Sequence, residues 1–221
     1  SSAASDVYKR QLITGNTGTA KTKMLNLIEE RNGQTIDLES LANHKGSVFG
    51  SQGQKQPSQK LFETLIYDKV KNLKTGEPIF VEAESNKIGN LHIPKEFWKL
   101  MKSSPQIEIS ATVEQRAQFL VEEYSEITRD LDLLEKQITS LSTIAGPKVV
   151  ESWLQIAKNK EFIELAKQLI EKHYDPRYKR GLLREKKEVF ATLRLDDMSQ
   201  KGLSLIVDRI LQTANNRIST L

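Results

Sequence analysis

The strongest chemical signal in the chain is GNTGTAKT, the run Gly15, Asn16, Thr17, Gly18, Thr19, Ala20, Lys21 and Thr22. It follows the phosphate-loop pattern G-x-x-x-x-G-K-[ST], with Ala20 where the second glycine would stand. Glycine-rich backbone lets successive N–H groups turn inward on phosphate oxygens. A helix starting behind the loop adds the positive end of its dipole. Lys21 would reach the terminal phosphates, and the Thr22 hydroxyl would ligate a magnesium ion. If Ala20 needs a left-handed backbone, its Cβ is costly; if it sits in the first helical turn, alanine is harmless. Both readings of Ala20 stay open at this point, as does the plainer reading of a glycine turn with a solvated lysine.

A phosphate loop calls for an acid at the end of a neighbouring buried strand. The segment PIFVEAES offers Glu82, directly after Ile79-Phe80-Val81, and Glu84. Glu82 is the better magnesium-supporting candidate; the alternative is an ordinary strand-end carboxylate. Asp37 and Glu39 would lie at the same edge if the strand order is the usual one, since such sheets collect ligands at the carboxyl ends of their strands. Arg116, near the start of a helix after a strand, could reach phosphate with a bidentate guanidinium or form a surface salt bridge.

The elements that must position these residues follow from hydrophobic period. Gln11–Thr14 reads as a buried strand, Lys21–Glu30 as a helix, Asn32-Gly33 as a turn and Gln34–Leu38 as a second strand. Residues 43–59 form a long Gly/Ser/Gln-rich loop, and long ordered loops are often functional. Gln59–Leu73 is an amphipathic helix, Pro78–Glu82 a strand, Pro94–Met101 a short helix and Gln106–Ser110 a strand. This alternation predicts a mostly parallel α/β sheet with helices on both faces. From Val113 to about Glu188 the pattern is helical, with Tyr124, Ile127, Leu131, Leu134, Ile138 and Leu141 as a packing stripe, and helices at Val149–Lys158 and Glu161–His173. Phe190–Leu195 could return as a last strand before a helix at Ser199–Thr213. The expected organisation is residues 1–10 as a disordered or non-native leader, 11–112 as the α/β core, 113–188 as a helical region and 189–221 as a return to the core.

Composition narrows the chemistry. The chain has 221 residues and a formal net charge of +4, and it has no cysteine, so thiolate zinc sites, iron–sulfur clusters and a cysteine nucleophile are excluded within it. Its three histidines, 44, 92 and 173, have no metal-ligand spacing, so no zinc is expected, nor haem. No apolar run approaches the ~20 residues that span a bilayer, so no membrane partner is expected and a cytoplasmic location is. The positive charge is local: Lys167–Glu188 holds eight basic and four acidic residues. There the stretch HYDPRYKRGLLREKK combines cations with Tyr174 and Tyr178. Cations suit an RNA backbone and rings can stack on unpaired bases; the plainer reading is a solvated helix face with two partly buried tyrosines.

Longer motifs resemble a family. DLESLANHKGSVFGSQGQKQPSQKLFE, Asp37 to Glu63, resembles the DLExLAxHxGSxFG and QPSQxxFE segments of the tRNA 2-selenouridine synthases. FVEAESNKIGNLHIP, Phe80 to Pro94, is similar to their FVExESxxIGxxxIP. Glu114-Gln115-Arg116 with Tyr124 is similar to their ER-then-Tyr stretch, and HYDPRY, His173 to Tyr178, to their HYDPxY box. The resemblance implies a P-loop NTPase-like domain of a transferase that replaces sulfur with selenium in wobble 2-thiouridine of tRNA. Selenophosphate would be the donor, and geranyl diphosphate would make a geranylated intermediate or side product. It also implies a rhodanese-like domain carrying a catalytic cysteine, in the same full-length chain or in a separate subunit. Selenium transfer is expected to need that domain, since the thiol is lacking here.

On the same resemblance, His44, Ser47, Gln56, Ser58 and Gln59, with Asp37, Glu39 and Glu84, are expected in a substrate-contacting loop; turn chemistry is the alternative. Lys21, Glu82 and Arg116 are the expected catalytic group, with Thr22 and Glu82 toward magnesium. His173, Tyr174, Arg177, Tyr178, Lys179 and Arg180 are expected to contact the anticodon region of tRNA. Geranyl diphosphate, selenophosphate or a nucleotide would be the phosphate ligand. Two other readings remain: a small-molecule or nucleotide kinase, and a non-catalytic RNA-binding module that keeps the loop as a structural anion site.

Overall fold

The computed structural model describes residues 10–45, 55–82, 85–184 and 188–219. The chain divides into two compact units. Of the described residues, the first holds those of 10–15, 20–110 and 188–219, and the second those of 16–19 and 111–184.

The first unit is built on a five-stranded sheet. Its strands are β1 (Arg10–Gly15), β2 (Gln34–Ile36), β3 (Ile79–Glu82), β6 (Gln106–Ser110) and β7 (Val189–Arg194), in the order β2-β3-β1-β6-β7. Every pairing in it is parallel, with Ile13 beside Glu82 and Ile107. Parallel strands covered on both faces are apolar without alternation. In β1 the five residues after Arg10 are all buried. Helix α1 (Lys21–Glu30) follows β1 and buries Met24, Leu25 and Ile28. The last helix, α12 (Gln200–Ser219), packs against α1 with Leu203, Ile206, Val207 and Ile210 buried.

Leu12, Val81 and Ile36 stand in register across three strands. They share a core with Phe62 and Ile66 of α3 (Gln59–Lys71) and Met101 of α4 (Lys95–Lys102). Phe62 is fully buried, and truncating such a ring to alanine costs about 3–5 kcal/mol.

In the first unit the second strand and the stretch before α4 depart from the sequence expectation. The second strand stops at Ile36, and Leu38–Leu41 is a short helix, α2. Asp37 ends the strand because its carboxylate accepts the Ser40 N–H at 2.8 Å, an N-cap that a continued strand could not supply. Between β3 and α4 lies an unexpected antiparallel hairpin, β4 (Lys87–Ile88) with β5 (Leu91–His92).

The second unit is helical. Helix α5 (Val113–Glu123) opens with a capping box between Thr112 and Gln115. Then come α6 (Ser125–Arg129), α7 (Leu131–Ser140), α8 (Ser142–Ala145), α9 (Pro147–Lys158) and α10 (Phe162–Leu169). The apolar stripe from Tyr124 to Leu141 is thus divided among short helices. Asp130 starts a new one by accepting the Leu133 N–H at 3.0 Å. Ile127, Leu134, Ile138 and Leu141 are buried, as packing residues should be. A π-helical turn, Ile170–Tyr174, joins α10 to α11 (Asp175–Arg184).

Candidate functional site

The glycine-rich loop begins where β1 ends at Gly15. In the first unit, Lys21 is 4% exposed and its Nζ donates to the Gly15 carbonyl at 2.8 Å. A buried ammonium is tolerated only with partners in place. The Thr22 hydroxyl donates to Glu82 Oε2 at 2.9 Å. Glu82 is buried at the carboxyl end of β3, beside β1. Strand adjacency therefore brings Lys21, Thr22 and Glu82 to one sheet edge. Helix α1 starts with no side-chain cap and no acid in its first turn, so no side chain of that turn offsets the positive end of its dipole.

Ala20 settles into the costlier of its two readings. It has φ 58° and ψ 29°, a left-handed backbone at the residue before α1. For a residue with a Cβ that conformation costs roughly 1–2 kcal/mol.

In the second unit, the loop residues 16–19 are closed on themselves and clasped from one side. The Thr19 hydroxyl and backbone N–H both donate to the Asn16 carbonyl, at 2.9 and 3.3 Å. Arg116 of α5 is 3% exposed and donates from Nε to the Thr17 carbonyl at 2.8 Å. Its two terminal nitrogens grip both oxygens of Asp175 at 2.6 and 3.0 Å. Asp175 Oδ1 also accepts from Asn16 Nδ2 at 2.9 Å. Arg116 is therefore neither a surface ion pair nor a guanidinium turned outward: its three nitrogens are given to Asp175 and the loop. Gly18, at φ +88°, lies so close to α5 that a Cβ would sit 3.0 Å from the Arg116 carbonyl. Asp175 is the residue that sequence reasoning missed. It lies inside the HYDPRY box, but only the fold reveals a partner 59 residues away.

The expected substrate-loop residues scatter in role. Ser47 and Glu84 lie outside the described residues. Asp37 caps α2, and burial raises its carboxyl above the usual range, partly offset by the Ser40 and Glu39 N–H groups. Glu39 is half-buried within α2. His44 is half-buried, which lowers its imidazole below the ordinary value. Ser58 caps α3 by accepting the Leu61 N–H at 3.2 Å.

Gln56 and Gln59 grip the β4–β5 hairpin. Gln56 Oε1 accepts the Asn90 N–H at 2.8 Å, while its Nε2 donates to the Ile88 and Ala42 carbonyls at 3.1 and 3.2 Å. Gln59 pairs with both the N–H and the carbonyl of His92, at 2.9 and 2.8 Å. A glutamine amide, with one donor end and one acceptor end, matches the missing strand edge of a hairpin two residues long. These two side chains thus hold backbone of the hairpin and of Ala42.

Among the expected RNA contacts, His173 is buried at 4% exposure, its ring edge-on to Tyr174 with centroids 4.9 Å apart. Arg177 and Lys179 are exposed, and Tyr174 and Tyr178 are half-buried. The backbone of Arg180 lies in α11, while its side chain is outside the described ones. Among the described residues no helix is long and apolar enough to cross a membrane.

The geometry can be set beside known proteins. The chain is 38% identical over 116 residues to the tRNA 2-selenouridine synthase of Alcanivorax borkumensis, covering 52% of this chain and 31% of that protein. It is 29% identical over 206 residues to the synthase of Shewanella denitrificans, covering 80% of this chain and 55% of the relative. It thus spans about a third to just over half of the curated relatives it matches. Shikimate kinase from Bacteroides thetaiotaomicron is structurally similar over 93% of this chain and 98% of its own, at a TM-score of 0.41 and 11% identity. The phosphate-loop α/β fold itself rests on the strand order and on the loop between β1 and α1. Residues 8–140, from before β1 through α7, match the family described as the tRNA 2-selenouridine synthase AAA domain, and this chain belongs to that family.

Proposed function

We propose that this chain is the phosphate-binding part of a tRNA-modifying transferase that converts wobble 2-thiouridine to 2-selenouridine. The observation that carries the reading is the set at the β1 and β3 ends: buried Lys21 on the Gly15 carbonyl at 2.8 Å and Thr22 on Glu82 at 2.9 Å. Such a set binds and neutralises a phosphate or diphosphate. The relatives are named for a tRNA product, and both donors that such chemistry would use are phosphate compounds.

Geranyl diphosphate fits the loop as a ligand. The thiouridine sulfur would displace diphosphate at the allylic carbon, breaking one C–O bond and forming one C–S bond. The negative charge gathers on the departing diphosphate, where loop N–H groups and Lys21 stabilise it. Magnesium suits the site by donor chemistry, because Thr22 and Glu82 present two oxygens and this ion keeps waters and phosphate oxygens for the rest of its shell. Among the described residues no group of three or more His, Cys, Asp or Glu forms a cage of its own. When bound, the ion would offset charge on the diphosphate; Thr22 and Glu82 would hold it.

Selenium transfer from selenophosphate would draw its thiol from a rhodanese-like domain, since this chain has no cysteine. Exposed Arg177 and Lys179 would meet the tRNA backbone. The test is binding of tRNA, ATP and geranyl diphosphate to the chain and to Lys21→Ala. One charge-assisted hydrogen bond is worth about 1.5–3 kcal/mol, so Lys21→Ala should weaken diphosphate binding about 10- to 100-fold. ATP hydrolysis with no affinity for tRNA would sink the reading.

A further inference from the structure

We infer that Asp175 is a positioning residue of the phosphate loop and that, through it, RNA on α11 and phosphate on the loop strengthen each other's binding. The inference rests on the phosphate and tRNA reading above. Asp175 is the first residue of α11, and exposed Arg177 and Lys179 follow on the same helix. Its carboxylate makes three hydrogen bonds: two from Arg116 and one from Asn16, a loop residue. Arg116 in turn holds the Thr17 carbonyl. One carboxylate thus fixes the loop at two successive residues, once directly and once through the guanidinium.

The local helix geometry serves this contact. The π-helical turn Ile170–Tyr174 inserts an extra residue just before Asp175. Such bulges rotate everything beyond them relative to a regular helix and recur at functional sites. Without it Asp175 would be turned about 100° around the axis, a single residue's share of an α-helical turn. The pair is also costly to leave half-made, because Arg116 is 3% exposed and its charge would stay buried without its partner.

A continuous set of hydrogen bonds of this kind lets ordering at one end carry to the other. Phosphates docked on Arg177 and Lys179 fix the first turn of α11 and with it the Asp175 carboxylate. The loop is then already ordered when its own ligand arrives, and the linkage is reciprocal by thermodynamic necessity.

The test measures the affinity of inorganic pyrophosphate with magnesium for the chain, with and without a tRNA anticodon stem-loop. The proteins compared are the wild type, Asp175→Ala, Asp175→Glu, Lys21→Ala and the double variant Arg116→Met with Asp175→Leu. The double variant leaves no stranded charge, so it tests the clasp even if Asp175→Ala fails to fold. Wild-type pyrophosphate affinity should rise at least threefold with RNA. Both clasp-breaking proteins should bind pyrophosphate at least tenfold more weakly and show no response to RNA, while their RNA affinity alone stays within twofold. Asp175→Glu should recover part of the response, which a merely structural loss would not do. Lys21-dependent binding that is undiminished in both clasp variants, or a wild-type response of one, overturns this inference alone. Pyrophosphate binding indifferent to Lys21→Ala overturns the phosphate reading on which it rests.

Discussion

Gly18→Ala probes the loop most directly. Gly18 has φ +88°, and a methyl group there would meet the Arg116 carbonyl at 3.0 Å, Arg116 Cβ at 3.1 Å and Leu120 Cγ at 3.2 Å. The left-handed backbone alone costs an alanine about 1–2 kcal/mol. Crowding against three atoms, two of them close to or part of the α5 backbone, adds about 1–3 kcal/mol. The stiffer unfolded chain returns about 0.4–1 kcal/mol. The net loss is about 1–5 kcal/mol, a drop of about 2–20 °C in Tm for a chain of this size. Gly146→Ala is the control, because Gly146 has φ +86° but nothing within 4 Å of an added Cβ. Its backbone strain of about 1–3 kcal/mol should also lower Tm. Only Gly18→Ala should weaken pyrophosphate binding, since only its methyl pushes loop and α5 apart. Scanning calorimetry and pyrophosphate titration of both variants measure the difference. Wild-type affinity in Gly18→Ala, or equal affinity losses in the two, would refute the argument that the Arg116 helix sets the loop.

Three further outcomes follow from the same structure. Ala20→Gly relieves roughly 1–2 kcal/mol of left-handed strain but loses about 0.8 kcal/mol of buried methyl and about 0.5–1 kcal/mol to a freer unfolded chain; its Tm should stay within about 3 °C of wild type. Gln56→Ala removes the three hydrogen bonds at Asn90, Ile88 and Ala42, so hydrogen exchange of the Asn90 amide should quicken at least tenfold while amides of β1 do not change. Burial raises the Asp37 carboxyl above its ordinary 3.8, so the folded state binds more protons than the unfolded in the window just above that value. Stability linked to this group therefore falls as pH rises through the window. Asp37→Asn keeps the cap oxygen and should flatten that slope in urea midpoints taken at several pH values, whereas Asp37→Ala should lose about 1 kcal/mol throughout.

The sequence was most informative where the signal is local or periodic. The β-α alternation implies a parallel sheet, and Gln106–Ser110 and Lys21–Glu30 have the bounds that their periodicity predicts. Asp37 was legible as a polar residue yet not as a stop, because a β-like run of Gln34 to Leu38 hides a cap. The hairpin at Lys87–His92 has strands of two residues, too short for any period to show. What holds it, Gln56 and Gln59, stands more than 30 positions away in the chain. The Arg116–Asp175 pair escaped for the same reason: non-local pairing leaves no mark on spacing. Ala20 shows the reverse case, where the sequence posed a sharp question that a single dihedral angle decided.

The burial of Lys21 bears on how ionic strength should act on the molecule. Its ammonium is 4% exposed and already stripped of water. Bulk ions screen such a charge weakly. Arg177 and Lys179 stand in solvent, where polyanion binding releases counterions and falls steeply as salt is added. Raising salt should therefore separate the two kinds of anion that one chain is proposed to hold, stripping away the polymer while the small phosphate stays. A salt titration thus becomes a way to purify one state from the other without altering a residue.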